Sequence, residues 1–420
     1  MTITNIISAI GNNRSVYPLI LRDCGIEVPS KIYITRKENQ KESKTKANDA
    51  TREKFIDEYA TSAVWLGGIP LVEKVYDKFI TSKKGFNPAS SIKLFKEEEF
   101  QGLEYNIKKF RELAPEAVKD LEKIKNNKKI YEKLTAGKFA AATMIPIAVM
   151  GFVLPKLNFA LTRKIKEKRA ASEPEINKNI SMTGRPIMDS FISGKKEVSF
   201  TGNWVSTVAN FKMVDKMAVT DGGLTVGRVS TSRNKDEAAV NAFRMLGSMF
   251  LNFVAPKYIA KFLDKTANKI FNINVNLDPL IMENKEFIDA IKENKVELPK
   301  SDSAKDIFDF IDSKPNSSFS KFATQQGKLS YLENGIRDPR KYVDVKELGD
   351  LRNELKQFVE SAKKSNDIAK FAKKAKFVKG TNIIANVLIS SALLAVALPK
   401  AQYGFNKLLT GSYSDPGLRE

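Results

Sequence analysis

Histidine is absent from the 420 residues of this chain, and cysteine occurs only once, at Cys24. Without histidine there is no imidazole general base, no Ser-His-Asp or Cys-His catalytic group, and no histidine ligand for zinc or haem. A single cysteine forms neither an internal disulfide nor a cysteine-rich metal site. We therefore predict no catalytic residue, no metal and no cofactor. The composition weighs against an enzyme without excluding one.

The beginning of the chain lacks the marks of a secretory signal peptide. Asn5, Asn12 and Asn13 interrupt the apolar residues of the stretch 1–21, and no basic region precedes them. No small-residue cleavage site follows either. Any insertion into a membrane would then depend on internal segments of the sequence.

Acidic residues are outnumbered by basic ones. The 70 lysines and arginines stand against 49 aspartates and glutamates, which gives a net charge of +21. This surplus favours anionic partners, either nucleic acid or acidic lipid headgroups. The lysines are spread over most of the chain, and there is no helix-turn-helix, zinc-finger or RNA-binding signature. We therefore expect a lipid bilayer with anionic headgroups as the partner, with nucleic acid as the alternative.

An uncharged apolar run, a proline and a basic amphipathic tail follow one another four times in the sequence. The run 139–161 has 23 residues and one charge, and the run 381–399 has 19 residues and none. A 23-residue helix is about 34 Å long and a hydrocarbon core is about 30 Å thick, so we predict that both runs span a membrane. The runs 59–72 and 245–256 are shorter, which favours buried, re-entrant or interfacial helices. The prolines expected to kink these helices are Pro70, Pro155, Pro256 and Pro399.

The segment before the last apolar run is a basic amphipathic helix by its pattern. Between positions 363 and 379 there are seven lysines and a single acid. Such a helix leading into an uncharged run is typical of a membrane-surface helix that feeds a span, with its N-terminal side in the cytoplasm. A solvated helix face is the alternative interpretation. The predicted membrane-surface lysines are Lys370, Lys373, Lys374 and Lys376.

One glycine-rich stretch, 221–233, combines glycines with basic residues. Glycines in a loop can expose backbone N–H groups to a phosphate, and nearby arginines add positive charge. The match is weak because the Gly-Lys-Ser/Thr signature is missing and no strand precedes the stretch. The candidate phosphate-binding residues are Gly222, Gly223, Gly227, Arg228 and Arg233.

Few stretches alternate with a period of two, so we predict an all-α fold. A helix is expected from about Arg52, with Phe55, Tyr59 and Ala63 on its apolar face. The lysine-rich stretch 31–50 is expected to be a solvated linker or arm.

These observations predict a helical membrane-associated protein with two transmembrane helices, two shorter apolar segments and charged soluble helices. We expect a bacterial-type inner-membrane location and a structural, scaffolding or membrane-organising role. The alternatives are a soluble α-helical binding protein for lipid or a protein partner, and a phosphate-ligand-binding protein or enzyme. The predicted regions are 1–50, a polar N-terminal arm; 51–170, helical with the first span; 171–235, loop-rich with the glycine-containing loop; 236–275, an apolar-to-basic helical segment; 276–360, soluble helices with a flexible connection; and 361–420, the basic helix and last span.

Overall fold

The computed structural model describes residues 2–11, 20, 22–96, 98–172, 213–271 and 276–418. It is 78% helical and has no strands in the part of the chain that it describes. An isolated antiparallel bridge joins Tyr331 and Arg337. The predicted all-α fold is thereby confirmed. The predicted loop-rich region 171–235 lies outside the described residues from 173 to 212.

The described helices follow the chain in this order. They are α1 (Ile3–Gly11), α2 (Val28–Gln40), α3 (Lys44–Ala63), α4 (Ile69–Tyr76), α5 (Leu103–Phe110), α6 (Pro115–Asn126), α7 (Lys128–Ile147), α8 (Leu154–Ser172), α9 (Met213–Ser230), α10 (Lys235–Phe253), α11 (Ala255–Phe271), α12 (Pro279–Glu283), α13 (Lys285–Lys292), α14 (Ala304–Ser313), α15 (Ser318–Gln325), α16 (Val345–Lys363), α17 (Ile368–Ala392) and α18 (Leu398–Thr410). The π-helical segments are Asp23–Glu27, Val64–Gly68, Asp77–Thr81, Ala148–Val153 and Leu393–Ala397, and 3-10 turns occupy Ile92–Phe95 and Pro416–Leu418.

The prediction of a polar arm over residues 1–50 is wrong for its second half, which forms a helical hairpin. Helices α2 and α3 pack against each other. The Ser43 hydroxyl caps α3 by accepting the Lys46 backbone N–H at 3.0 Å. Ile34 and Asn39 of α2 are buried. A lysine-rich helix can pack in this way because its lysines form ion pairs with carboxylates. Lys31, for example, lies 3.4 Å from Glu58.

The predicted glycine loop is a helix. Gly222, Gly223 and Gly227 all lie within α9, so their backbone N–H groups are used by the helix itself. The role of Gly227 is close packing. A Cβ added there would lie 2.8 Å from the Cα of Gly151, in the π-helical segment 148–153. Only glycine allows the two backbones to approach this closely.

We expect Gly227→Ala to lower the free energy of unfolding by about 1–3 kcal/mol, because the added methyl group overpacks this crossing. Gly222→Ala is the matched control, since a Cβ at position 222 meets no atom within 4 Å. That variant should be neutral or more stable by up to about 1 kcal/mol, the helix-propensity gain of alanine. Thermal unfolding of the two purified variants tests this difference. Equal stability would contradict the close approach.

Two stretches of chain, 82–131 and 276–378, fold together into what we call the globular unit. Its two apolar cores are built by helices α5–α6 and by helices α12–α17. Arg337 joins them, with its fully buried guanidinium between the rings of Phe110 and Phe308, 5.0 and 4.7 Å from their centroids. Asp312 pairs with Arg337 at 2.8 Å and so balances the buried charge.

Among the described residues, three helices are long and apolar enough to cross a membrane: Lys128–Ala171, Lys235–Phe271 and Ile368–Thr410. The first and the last contain the predicted spans. The second was not predicted as a span, because its uncharged run, 245–256, is short. The structure continues this helix past Pro256 with only a local break at Val254, and so gives it a length of 37 residues.

Proline occupies the second position of the helix after each break. Pro70, Pro155 and Pro399 each follow a π-helical segment by one residue. Proline lacks an N–H group and its ring clashes with the carbonyl four residues earlier. The wider π-helical turn makes room for the proline ring, so the helix continues past the proline. Pro256 also occupies the second position of its helix, without a π-helical segment before it.

The long helices connect three zones. Helices α7 and α17 begin inside the globular unit, where the Tyr131 hydroxyl donates to the Ser90 carbonyl at 2.6 Å and Ala375 is fully buried. Their apolar middle parts follow, up to the prolines. Helices α8 and α18 then reach a zone of charged side chains at the opposite end, where α3 packs on α8 and α10 on α18.

Candidate functional site

The charged zone is built around three acids of α3 and three arginines of the α9–α10 hairpin. We call Glu53, Asp57, Glu58, Arg228, Arg233 and Arg244 the charged cluster. Glu53 and Asp57 share one face of α3 because residues four apart on a helix point in similar directions, and Glu58 follows Asp57 directly. The turn between α9 and α10, closed by the Asn234 cap on Glu237, places Arg233 opposite this face, and Arg228 lies in the last turn of α9.

Arg228 and Arg233 each form a short, mostly buried ion pair with an acid of α3. Arg228 Nη1 lies 2.5 Å from Asp57 Oδ2, and its Nη2 donates to the Thr61 hydroxyl at 2.9 Å. Arg233 binds Glu53 in a bidentate manner, with each terminal nitrogen 3.0 Å from a carboxylate oxygen. Bidentate geometry is the strongest form of an arginine–carboxylate contact. Two separate ion pairs therefore hold the α9–α10 hairpin against α3.

Further cations converge on Glu58. Lys54 lies 2.8 Å from its carboxylate and Lys31 3.4 Å, while Arg244 is 3.9 Å away. Burial opposes ionisation of Glu58, but these three cations hold its pKa well below the usual glutamate range. The pKa of Asp57 is lowered too, since its paired arginines outweigh burial. Both acids are thus ionised at neutral pH, and the stability they contribute is lost only as pH falls through the lowered pKa values.

Side chains of α8 and the C-terminal residues complete the zone. Asn158 donates to the Glu53 carbonyl oxygen at 2.8 Å, which ties α8 to α3. At the end of the chain, the Asp415 backbone N–H donates to Asn39 at 2.9 Å, and Asn234 donates to the Pro416 carbonyl at 2.9 Å. The C-terminal residues therefore close the zone across both hairpins.

A cavity of about 90 Å³ lies within the cluster. Water takes about 30 Å³ per molecule in the liquid, so the space suits two or three waters. Arg228 Nε, Arg244 Nε and Asn158 Oδ1 are buried in its wall without a hydrogen-bond partner in the described protein. Such groups are the partners that an enclosed water requires. The cavity is lined by both charged and apolar side chains, and its unpaired polar groups suit a bound water.

The glycines predicted to form a phosphate-binding loop lie in a helix instead. Arg228 and Arg233 do lie near each other, but both are neutralised by carboxylates. The three glycines are helical and offer no free N–H groups. The acids Glu53, Asp57 and Glu58 were not predicted, although the four-residue spacing of Glu53 and Asp57 beside an apolar run was the available signal.

The predicted membrane-surface lysines lie in the first turns of α17, at the globular unit. Lys370, Lys373 and Lys374 are exposed, on the side of α17 away from the buried Ala372, Ala375 and Val378. Lys376 is partly buried and pairs with Glu283 at 3.4 Å. In the described part of the chain, no group of three or more histidine, cysteine or acidic residues is arranged to hold a metal. No protein-family model, curated protein or solved structure matches this chain.

Proposed function

We propose that the protein is embedded in a membrane, of the bacterial inner-membrane type, and works as a structural or membrane-organising protein. In this proposal the apolar parts of the long helices lie in lipid and the globular unit is held at one surface. The charged cluster fixes the helices together at the other surface. The bilayer itself, with anionic headgroups, is the principal partner.

The surface of the long helices carries the proposal. Only 33%, 6% and 22% of the most apolar stretches of Lys128–Ala171, Lys235–Phe271 and Ile368–Thr410 are buried inside the protein. Soluble proteins rarely expose contiguous apolar patches beyond a few hundred Å². In lipid such a surface is the expected one, because the hydrocarbon is as apolar as the side chains.

The dimensions of the apolar zone support a crossing. From position 139 to Pro155 the chain rises about 24 Å, and from position 381 to Pro399 about 27 Å, at 1.5 Å per residue. Both values approach the hydrocarbon thickness of about 30 Å. The globular unit stands at one end of these stretches and the charged cluster at the other. Both polar zones would then lie outside the hydrocarbon.

The exposed lysines at the start of α17 support the orientation. Lys370, Lys373 and Lys374 stand within a few turns of the apolar stretch, where headgroups would be. Basic residues flanking a span favour the cytoplasmic side, and each one near an anionic surface contributes about 1 kcal/mol of attraction. We therefore place the globular unit on the cytoplasmic side.

A soluble binding protein is the second candidate, because the same exposed apolar faces could pack on a lipid or a protein partner. Alkaline carbonate washing of membranes from cells that express the chain separates the two. Membrane embedding predicts that the protein stays in the pellet. Complete release into the supernatant would contradict embedding and favour the soluble protein.

A further inference from the structure

We infer that the chain is an internal duplication whose two halves pack through reciprocal surfaces, with the charged cluster at their interface. The first half is 28–172 and the second is 213–410. Each half consists of a short helix, a turn, a long proline-broken helix, an insert and a second long proline-broken helix. The inference concerns the packing of the chain on itself, and it does not depend on the membrane proposal.

The last helix of each half shows the equivalence position by position. Pro155 and Pro399 are 244 positions apart, and residues 155–163, PKLNFALTR, align with 399–407, PKAQYGFNK. Every aligned pair keeps its chemical type closely, as with Asn and Gln or Phe and Tyr. Three positions are buried in both helices, since Pro155, Asn158 and Thr162 correspond to Pro399, Gln402 and Asn406, whereas Tyr403 is buried and Phe159 only partly so. The same displacement relates the buried positions 146, 147, 150 and 151 to 390, 391, 394 and 395.

Contacts inside each half repeat as well. Near the end of the first broken helix, Asp77 pairs with Lys138 of α7 at 2.6 Å. In the second half, Asp264 of α11 accepts from Asn382 of α17 at 2.9 Å. Positions 138 and 382 are again 244 apart. The equivalence therefore extends from the last helix of each half to the way that helix packs on its neighbour.

Contacts between the halves are reciprocal. Helix α9 of the second half packs on the π-helical segment 148–153, and α2 of the first half packs on the segment 393–397. The aligned aromatic residues Phe159 and Tyr403 each contact a residue of the other half. Arg233 lies 4.1 Å from the Phe159 ring centroid, and Asn39 donates to the Tyr403 hydroxyl at 3.2 Å. Such exchange of contacts is the mark of a two-fold, isologous interface.

The two faces of this interface differ in charge. In the charged cluster the first half supplies the acids Glu53, Asp57 and Glu58, and the second half supplies the arginines. Opposite charges therefore meet where α3 of the first half contacts the α9–α10 hairpin of the second half. The partner surface that fits each half is therefore the other half of the same chain.

Segment exchange in the full-length chain tests the equivalence. One variant receives the sequence PKAQYGFNK at positions 155–163, and a second receives PKLNFALTR at 399–407. Because side-chain types match and three buried positions coincide, we expect each to unfold within about 5 °C of the parent in thermal scans. The control contains the same residues displaced by one position, PKKAQYGFN at 155–163. It places an aromatic ring at the buried position 162, and its melting temperature should fall by more than about 10 °C.

Two results would overturn the duplication. One is a displaced control as stable as the in-register exchange, because position would then not matter. The other is loss of folding in either in-register variant, because equivalent segments must be exchangeable in both directions. Retention of both in-register variants, with loss only in the displaced control, is the expected result. A carbonate wash that releases the parent would leave this outcome unchanged, since it concerns location alone.

Discussion

Replacing Arg228 with methionine is expected to lower the free energy of unfolding by about 3–5 kcal/mol, because it leaves Asp57 as a buried charge without its partner. Arg228 is only 7% exposed, and its contacts are the Asp57 carboxylate and the Thr61 hydroxyl. The remaining cation, Arg244, is 3.9 Å from Asp57 and also serves Glu58. Chemical or thermal unfolding of the purified full-length variant measures the loss.

Two controls show whether the loss comes from the stranded charge. The double variant Asp57→Asn with Arg228→Met removes both charges and should recover a large part of the stability. Arg163→Met removes an exposed arginine whose nearest acid, Glu167, is 3.8 Å away, and should cost less than about 1 kcal/mol. If the double variant is as unstable as Arg228→Met alone, the ion pair is not the cause.

Lysine on the apolar faces of two long helices is expected to abolish stable membrane insertion. Met144 and Leu388 are exposed, and each lies in the middle of an apolar stretch. A lysine at the centre of a span costs about 2.5–3.5 kcal/mol of insertion free energy, so Met144→Lys with Leu388→Lys should release the protein from carbonate-washed membranes. The measurement is the fraction of protein in the pellet.

The matched control is Leu408→Lys, because Leu408 is highly exposed but lies beyond Pro399, in the charged zone. Its pellet fraction should equal that of the parent. For a soluble protein the same double lysine variant would remain folded, with an unchanged melting temperature and higher solubility. That result would count against lipid around the long helices.

The apolar runs were the part of the fold that local sequence predicts well. A run of 19 to 23 uncharged residues leaves few choices other than a helix, so 139–161 and 381–399 are recognisable without tertiary information. The run 245–256 was underestimated because its continuation past Pro256 is amphipathic. That continuation is held by packing of α11 on α17, which no local pattern reveals.

The charged cluster was missed for a different reason. Helical spacing grouped the apolar residues Phe55, Tyr59 and Ala63 on α3, but Phe55 is 54% exposed. The face with the acids points inwards because arginines 171 and 180 positions away complete it. A charge pattern on one helix does not show whether its partners exist elsewhere, so burial of this face could not be predicted locally.

The prediction of a loop at the glycines of α9 failed for a similar reason. Glycine is a turn signal when only neighbouring residues are considered. Here Gly227 serves a backbone crossing with a segment more than seventy residues earlier, and the helix tolerates its low propensity because packing compensates. Sequence alone does not distinguish these two uses.

The globular unit has a consequence for the order of events during synthesis. Phe110 belongs to the first stretch of the globular unit, 82–131, whereas Arg337, which covers its ring, lies in the second stretch and is made 227 residues later. At a translation rate of about 5–20 residues per second, this interval lasts about 11–45 s. Throughout that time the first stretch lacks the part of the second stretch that covers Phe110. The globular unit therefore cannot finish folding when its N-terminal stretch, 82–131, leaves the ribosome, because it also needs the later stretch, 276–378.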